Sequence, residues 1–314
     1  MKDIDCLIVG YAGVDRIIKV DGTPEKGKTR LIVNKDNRNV SYGGNGSNVA
    51  ACLAKLGCKA APLMRVGWDW EKLGYKQTLL DFGVDISGVD VIQNETTSIC
   101  HLIESPDGSH LTMTYPGAMN GCYASEKYDE RLFERAKYGI VTVATAPDIE
   151  HFISQAEKAG LPLVFGVRVD EESFSPDSFR YLLLNSEIIF MNEAERDYFE
   201  TRFNTMDWFM KNGHAKHIVI TLGEKGCLVM ERNADGYTTV NVPALKNLNV
   251  VDTTGAGDSF IAGYMYGYLH GENAAACALL GNVESSFIIE QQGCITGAPD
   301  ITQLMERYVA NKEK

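Results

Sequence analysis

Val250-Val251-Asp252-Thr253-Thr254-Gly255-Ala256-Gly257-Asp258-Ser259-Phe260 is the stretch on which the reading of this chain turns. The apolar pair at its start predicts the end of a short strand. A glycine turn follows, and Phe260, Ile261, Tyr264, Met265 and Tyr268 then recur at helical spacing. Gly255 and Gly257 let the backbone come close to a ligand. The amides of Gly255, Ala256, Gly257 and Asp258, at the start of a helix, form an anion site. Asp258 lies in that first turn, where two readings stand. It caps the helix and complements its dipole. Alternatively, it takes a proton from a hydroxyl while the amides stabilise charge on a transferring phosphoryl group.

A second constellation precedes it: Tyr42-Gly43-Gly44-Asn45-Gly46-Ser47-Asn48-Val49, running into a small-residue helix that stops at Gly57. The dinucleotide fingerprint is not met, because Val49 occupies the third glycine position. Neutral polar groups at a helix entry suit a polyhydroxy ligand; an ordinary glycine turn with a cap is the plainer reading. Another motif is rejected. Gly22-Thr-Pro-Glu-Lys-Gly27-Lys28-Thr29 has the spacing of a P-loop, but a P-loop must open a helix. Arg30-Leu-Ile-Val-Asn34 is a poor helix start, and Pro24 with the glycines predicts a turn between strands.

Around these motifs, short apolar runs alternate with amphipathic segments. Strands are predicted at Cys6–Val9, Pro62–Val66, Ile140–Ala144, Leu163–Phe165, Ile188–Met191 and His217–Thr221, with two more near Cys227–Met230 and Thr238–Val242. Helices are predicted at Ser47–Leu56, Glu71–Phe82, Asp148–Ala159, Pro176–Leu184, Ala194–Thr201 and Met206–Asn212, then from about Asp258, Ala274 and Ile301. This is the α/β class, a parallel sheet covered on both faces. Asp15–Tyr42 and Glu95–Tyr115 instead alternate polar and apolar residues, the pattern of half-exposed antiparallel strands. They are expected to meet as a small projecting sheet: a flap over a ligand cleft, a partner surface or edge decoration.

Composition narrows the function classes. Thirty Lys and Arg against 42 Asp and Glu leave a net charge of −12, without the basic footprint of a nucleic-acid binder. No apolar run reaches the ~18 residues of a membrane span, and acids stand where a signal peptide has its basic region. A cytoplasmic protein is expected. The eight cysteines form no C-x-x-C and read as reduced, mostly buried thiols; the six histidines show no zinc-binding spacing.

The two glycine segments together resemble the signature regions of the ribokinase-like, or PfkB, carbohydrate kinases. Asp252-Thr-Thr-Gly-Ala-Gly-Asp258-Ser-Phe260 matches D-T-x-G-A-G-D-x-F, and Gly43-Gly44 with Asn48 matches G-G-x-x-x-N. Gly10 and Asp15, Gly67-Trp-Asp69, Gly83-Val-Asp85, Asn192-Glu-Ala-Glu195 and Thr221-Leu-Gly223-Glu-Lys-Gly226 follow the family in order. The resemblance implies one ribokinase-like domain over 1–314, a three-layer sandwich on a mostly parallel sheet. Its lid would be a small antiparallel sheet from about 12–42 and 95–115, which mediates dimers in several members. It implies ATP-dependent phosphorylation of a hydroxyl, in the first place on a small sugar and alternatively on a nucleoside; a non-catalytic binding paralogue is the rival from another class. Asp258 would be the general base and Gly255, Ala256 and Gly257 the anion hole. Asp15, Gly44, Asn45 and Asn48 would hold substrate hydroxyls. Asn192, Thr221, Gly223, Gly226 and Asn282 would flank ATP, and Glu195 would help place Mg²⁺ through water. Some members use a monovalent cation such as K⁺, and Asp252 fits its place.

Departures concern the acceptor. Gly166-Val-Arg168-Val-Asp170 stands where many members have N-P or D-x-N-x-R, so Arg168 meets an anionic substrate or phosphate, or is a solvated surface arginine. Asn45 replaces a frequent Lys, and Ala144 falls near a position often acidic in ribokinases. Tyr11, Tyr42, Trp68, Trp70 and Tyr115 are candidates to stack on a sugar or base.

Overall fold

The computed structural model describes residues 2–124 and 128–312. In chain order, β1 (Ile4–Val9), β2 (Gly13–Lys19) and β3 (Ser41–Gly43) precede α1 (Asn45–Lys55), β4 (Ala60–Gly67) and α2 (Tyr75–Asp81). Next come β5 (Val89–Ile92), β6 (Ile99–Glu104), β7 (His110–Tyr115) and α3 (Glu130–Arg135). Strands and helices then alternate as β8 (Ala136–Val141), α4 (Ala146–Ala159), β9 (Leu163–Gly166), α5 (Pro176–Asn185), β10 (Ile188–Asn192), α6 (Glu193–Arg202), α7 (Met206–Asn212) and β11 (His217–Thr221). β12 (Cys227–Asn233), β13 (Gly236–Val242), α8 (Ala256–Leu269), α9 (Ala274–Ile289) and α10 (Ile301–Asn311) complete the order.

The large sheet runs β13-β12-β11-β10-β9-β8-β1-β4-β5. Pairing is parallel from β11 through β5, and antiparallel where β12 and β13 are added. Strand alternation sends Cys6 and Ile8 of β1 to one face and Leu7 and Val9 to the other. The first face is covered by α1, α2, α8 and α9, the second by α3 to α7. The predicted parallel sheet covered on both faces is therefore what forms. The strand order reverses beside β1, which makes the crevice at the carboxyl ends of β1 and β8 the expected place for a ligand.

The two alternating stretches do meet, as a second sheet in the order β3-β2-β6-β7. Its central pair, β2 with β6, is parallel rather than antiparallel. The reason is connectivity: α1, β4 and β5 separate the two strands, so no hairpin constrains their direction. Much of the predicted Asp15–Tyr42 strand region is loop, tied by one bridge between Val20 and Ile32. The P-loop look-alike lies in this loop with no helix after it, and its Lys28 is paired with Glu25 at 2.7 Å. Val250 and Val251 form no strand; both are exposed, and the segment is tied by the Val251 amide to Ile289 O at 2.8 Å. Two apolar residues without a partner strand cannot be told from a strand end by pattern alone. The helix expected from Glu71 starts at Tyr75, after turns, and the strand expected at Ile140–Ala144 lies earlier, at Ala136–Val141.

One buried ion pair joins β4 to α4. The Arg65 guanidinium makes a forked contact with Asp148, 2.7 Å on one arm, and donates to Ala118 O at 2.9 Å. Tyr128 and Thr145 also donate to Asp148. Burial opposes charge on Asp148, but the Arg65 bonds hold its carboxyl below the usual range. Asp148→Ala leaves a buried guanidinium without its counter-ion and is expected to cost about 3–5 kcal/mol. A urea melt checks this; a loss under about 1 kcal/mol would mean the pair is dispensable.

Candidate active site

Asp258 is the second residue after the first of α8, and Gly255 is that helix's N-cap residue, with φ +82°. Among the described residues no backbone amide donates to the Asp258 carboxylate. Its Oδ1 accepts from Asn45 Nδ2 at 3.2 Å and its Oδ2 from Asn48 Nδ2 at 2.8 Å, both from α1. The helix-cap reading is thereby set aside: the side chain faces α1 and the cleft instead. Burial raises the Asp258 pKa, while the two asparagines and the charge of Arg168 pull it back.

The four amides expected to form the anion site are not equivalent. The Ala256 amide bonds Thr253 O at 3.2 Å. The amides of Gly255, Gly257 and Asp258 have no protein acceptor among the described residues. Gly255 is held by close approach, since a Cβ there would lie 2.6 Å from Cys294 O, whereas a Cβ on Gly257 would meet nothing within 4 Å. Asp252 fixes the preceding turn: Oδ1 accepts from the Thr254 amide and hydroxyl, and Oδ2 from the Gly293 amide. These bonds lower its pKa against the opposing effect of burial.

Two cavities meet at this carboxylate. The first, of about 670 Å³, lies under the small sheet and is lined by Asp15, Gly44, Asn45, Asn48, Arg168 and the 253–258 turn. The second, of about 250 Å³, is lined by Asn192, Glu195, Thr221, Gly257 and Asp258, again with Asn45 and Arg168. Asp15 on β2 accepts a weak bond from the Cys294 thiol, 3.9 Å away. Burial raises its pKa to about 6. Asn192 and Glu195 form a reciprocal cap on α6: the Asn192 amide donates to Glu195 Oε2 at 2.8 Å, and the Glu195 amide to Asn192 Oδ1 at 2.9 Å. Burial raises the Glu195 pKa. Gly223, Gly226 and Asn282 stand apart from both cavities. Asn282 donates to Pro243 O at 3.1 Å, and a Cβ on Gly226 would lie 2.6 Å from Pro243 C, so these two are neighbours. A third cavity, of about 690 Å³, runs from the Val242–Asn247 segment to Leu279, one turn before Asn282 on α9.

Residues 3–301 match the model of the pfkB family carbohydrate kinases. The chain belongs to the PfkB family. It is a phosphotransferase with an alcohol group as acceptor. A nucleoside kinase from Methanocaldococcus jannaschii is 28% identical over 310 residues, 98% of this chain and 97% of that protein. The crystal structure of the M. jannaschii nucleoside kinase, an archaeal member of the ribokinase family, is similar with a TM-score of 0.84 at 24% identity, covering 99% of this chain and 100% of that one. A ribokinase from Arabidopsis thaliana complexed with ribose and ATP gives 0.81 at 23% identity, covering 97% and 98%. A Burkholderia thailandensis nucleoside kinase in complex with inosine gives 0.81 at 22%, covering 98% and 99%. These structural likenesses carry the ribokinase fold.

Within this PfkB chain, several lining residues of the larger cavity escaped the sequence reading: Ser98, Cys100, Thr114, Asp170 and Cys294. Asp15, Cys100 and Thr114 fall in one row across β2, β6 and β7, hence on one face of the small sheet. Of the candidate aromatics only Tyr11 lines the cavity. Tyr42 stacks on Tyr75 and donates to Leu73 O, Trp70 is buried, Trp68 is exposed, and Tyr115 donates to Glu95. Asp69 of the V-G-x-D step accepts from the Thr97 amide and hydroxyl, tying the main sheet to the approach of β6.

Proposed function

We propose that the protein transfers the γ-phosphoryl group of ATP to a primary hydroxyl of a small sugar or of the ribosyl group of a nucleoside. The observation that carries the reading is the Asp258 carboxylate. It faces the junction of two cavities beside the free amides of Gly257 and of its own residue. Asp258 takes the hydroxyl proton as the acceptor oxygen attacks phosphorus in line. Gly255, Ala256 and Gly257 form the turn that brings the amides to the developing charge. Asp15, Gly44, Asn45 and Asn48 hold the acceptor. Asn192, Thr221, Gly223, Gly226 and Asn282 flank ATP, with the base toward Leu279 and Asn282.

For Mg²⁺ the donor set is suitable. The Asn192 amide occupies Glu195 Oε2, and Oε1 has no protein partner among the described residues at the smaller cavity. Mg²⁺ commonly keeps several waters and needs only one or two carboxylates. When bound it neutralises charge on the phosphates; Glu195 and Asn192 are the groups that hold its water shell. For K⁺, Asp252 is already engaged in closing the 252–254 turn and in holding the Gly293 amide, and no role for a monovalent cation is proposed there.

The larger cavity, about 670 Å³, has room for either acceptor, and the likeness to a nucleoside kinase supports the nucleoside form. The small sheet acts as a lid that excludes water. Its outer face carries exposed Leu111, Met113 and Tyr115, which supports a homodimer through this sheet. No helix among the described residues is long and apolar enough to cross a membrane. ATP dependence and eight unpaired cysteines suit the cytoplasm.

The test is a panel of ribose, deoxyribose, inosine, adenosine and cytidine with ATP and Mg²⁺, reading ADP release and the product's phosphorylated position. Turnover with none of these acceptors would refute the reading. A pH prediction follows from Asp15. Its carboxylate must be ionised to accept from the acceptor, and its pKa in the free protein is raised to about 6. The acceptor KM is expected to rise as pH falls below that value, and Asp15→Asn to flatten this limb while raising KM throughout. The stability sign is opposite: the protonated form is favoured in the fold, so this contribution is present at acid pH and lost between the ordinary carboxylate pKa and about 6.

A further inference from the structure

We infer that Arg168 is a catalytic residue that neutralises charge on the transferring phosphoryl group, rather than a contact to the acceptor. The inference rests on the kinase reading above. Both cavities are lined by Arg168, together with Asn45, Val143, Gly257 and Asp258. This shared set marks the passage where a phosphorus atom leaves the nucleotide and reaches the acceptor. Among the described residues Arg168 supplies the only cationic side chain in either lining, whereas Asp15, Asp170, Asp258 and Glu195 all bring carboxylates.

The guanidinium is exposed to the cavities and makes no hydrogen bond or ion pair with any described residue. Its backbone, in contrast, is anchored on both sides. The Val167 amide bonds Phe190 O at 2.8 Å, and Asp170 closes the next turn by accepting from the Glu172 and Ser173 amides at 3.0 and 3.1 Å. The backbone at Arg168 is thus held in place while its charge is left free to meet a ligand at the passage. Its field reaches both carboxylates that flank the passage, opposing the rise in pKa that burial imposes on Asp258 and Glu195.

An anionic acceptor is the competing partner. Asp15 and Asp170 line the acceptor cavity and repel it. The phosphoryl group also meets carboxylates, Asp258 and Glu195, but beside them stand the Gly257 and Asp258 amides, which have no protein acceptor among the described residues. In the transfer, the acceptor oxygen bonds to phosphorus, the bond from phosphorus to the bridging oxygen breaks, and the electron pair stays on ADP. The hydroxyl proton goes to Asp258. In the transition state charge is spread over the three equatorial phosphoryl oxygens, and there a planar, permanently charged fork adds to what neutral amides supply.

The test uses Arg168→Gln and Arg168→Lys in the full chain with the best acceptor of the panel. Arg168→Gln is expected to lower kcat about 10²–10³-fold, with the acceptor KM changed less than about threefold and an unchanged melting temperature. Guanidinium chloride at millimolar concentration restores part of kcat, and Arg168→Lys keeps an intermediate rate. A second readout needs no acceptor. Calorimetry with Mg²⁺, ADP and aluminium fluoride is expected to show a similar fold-loss in the fluoride complex while ADP alone binds as before. Should kcat and the fluoride complex both stay within about threefold of the parent, or should the effect fall on acceptor KM alone, the assignment is overturned. Because the calorimetric arm is independent of the acceptor, it decides on Arg168 even if the panel shows no turnover.

Discussion

Asp258→Asn is expected to lower kcat by about 10²–10⁴-fold, the usual contribution of a positioned general base, and to leave ATP affinity close to that of the parent. The replacement keeps the shape of the side chain. One of its atoms still accepts from Asn48, where the carboxylate bond is 2.8 Å, but the amide group then faces the Asn45 donor in place of an oxygen. What is removed is the proton acceptor. Since Gly255 caps α8 without a side-chain bond, the loss cannot be charged to a broken helix start. The pH profile gives a second check. Burial raises the Asp258 pKa, so activity that needs the carboxylate falls on the acid side, and this limb should vanish in the variant. The same shift means that Asp258 favours the fold at acid pH and withdraws that contribution as pH rises through its folded pKa. The variant should be no less stable than the parent at neutral pH. A kcat within a few-fold of the parent, read by ADP release, would show that another group takes the proton.

The second large effect is expected at Gly257. In a helix, Gly→Ala at a compatible position stabilises by about 0.4–1 kcal/mol, and a Cβ there meets no protein atom within 4 Å. By protein contacts alone Gly257→Ala is harmless. The open space is, in this account, where the phosphoryl oxygens sit against the 257 and 258 amides. The variant is therefore expected to melt no lower than the parent and to lose about 10²-fold or more in kcat. Gly255→Ala is the contrast. Its φ of +82° and the 2.6 Å approach to Cys294 O mean that the backbone itself must shift, so stability and activity fall together. Equal behaviour of the two variants would detach the turn from phosphate binding.

The pieces of this site differ in how far the sequence disclosed them, for physical reasons. The 252–260 segment was readable because each element of its chemistry is local: glycines, an acid and a helix start within a few residues. α1 was readable for the same reason, although it begins at Asn45 and not at Ser47. The strand expected at Val250–Val251 failed because an apolar pair carries no period. β5 and α3, of four and six residues, were missed as too short to show one. The small sheet was foreseen from alternation, but not its parallel central pair or its register. Cys100 and Thr114 were therefore invisible until the pairing with Asp15 placed them on the cavity side. Cys294 has no local signal; it reaches the site because Gly255 admits its carbonyl and Asp252 holds the Gly293 amide. Arg168 was legible as a departure from the family pattern, yet its place between two cavities depends on strands β9 and β10 lying side by side.

The most direct test of the central claim is a crystal structure of the protein with its acceptor, Mg²⁺, ADP and aluminium fluoride. The planar fluoride is expected at the junction of the two cavities, hydrogen-bonded to the Gly257 and Asp258 amides, with the acceptor hydroxyl within hydrogen-bond distance of the Asp258 carboxylate. A fluoride bound away from those amides, or an acceptor hydroxyl directed to any other base, would contradict that claim.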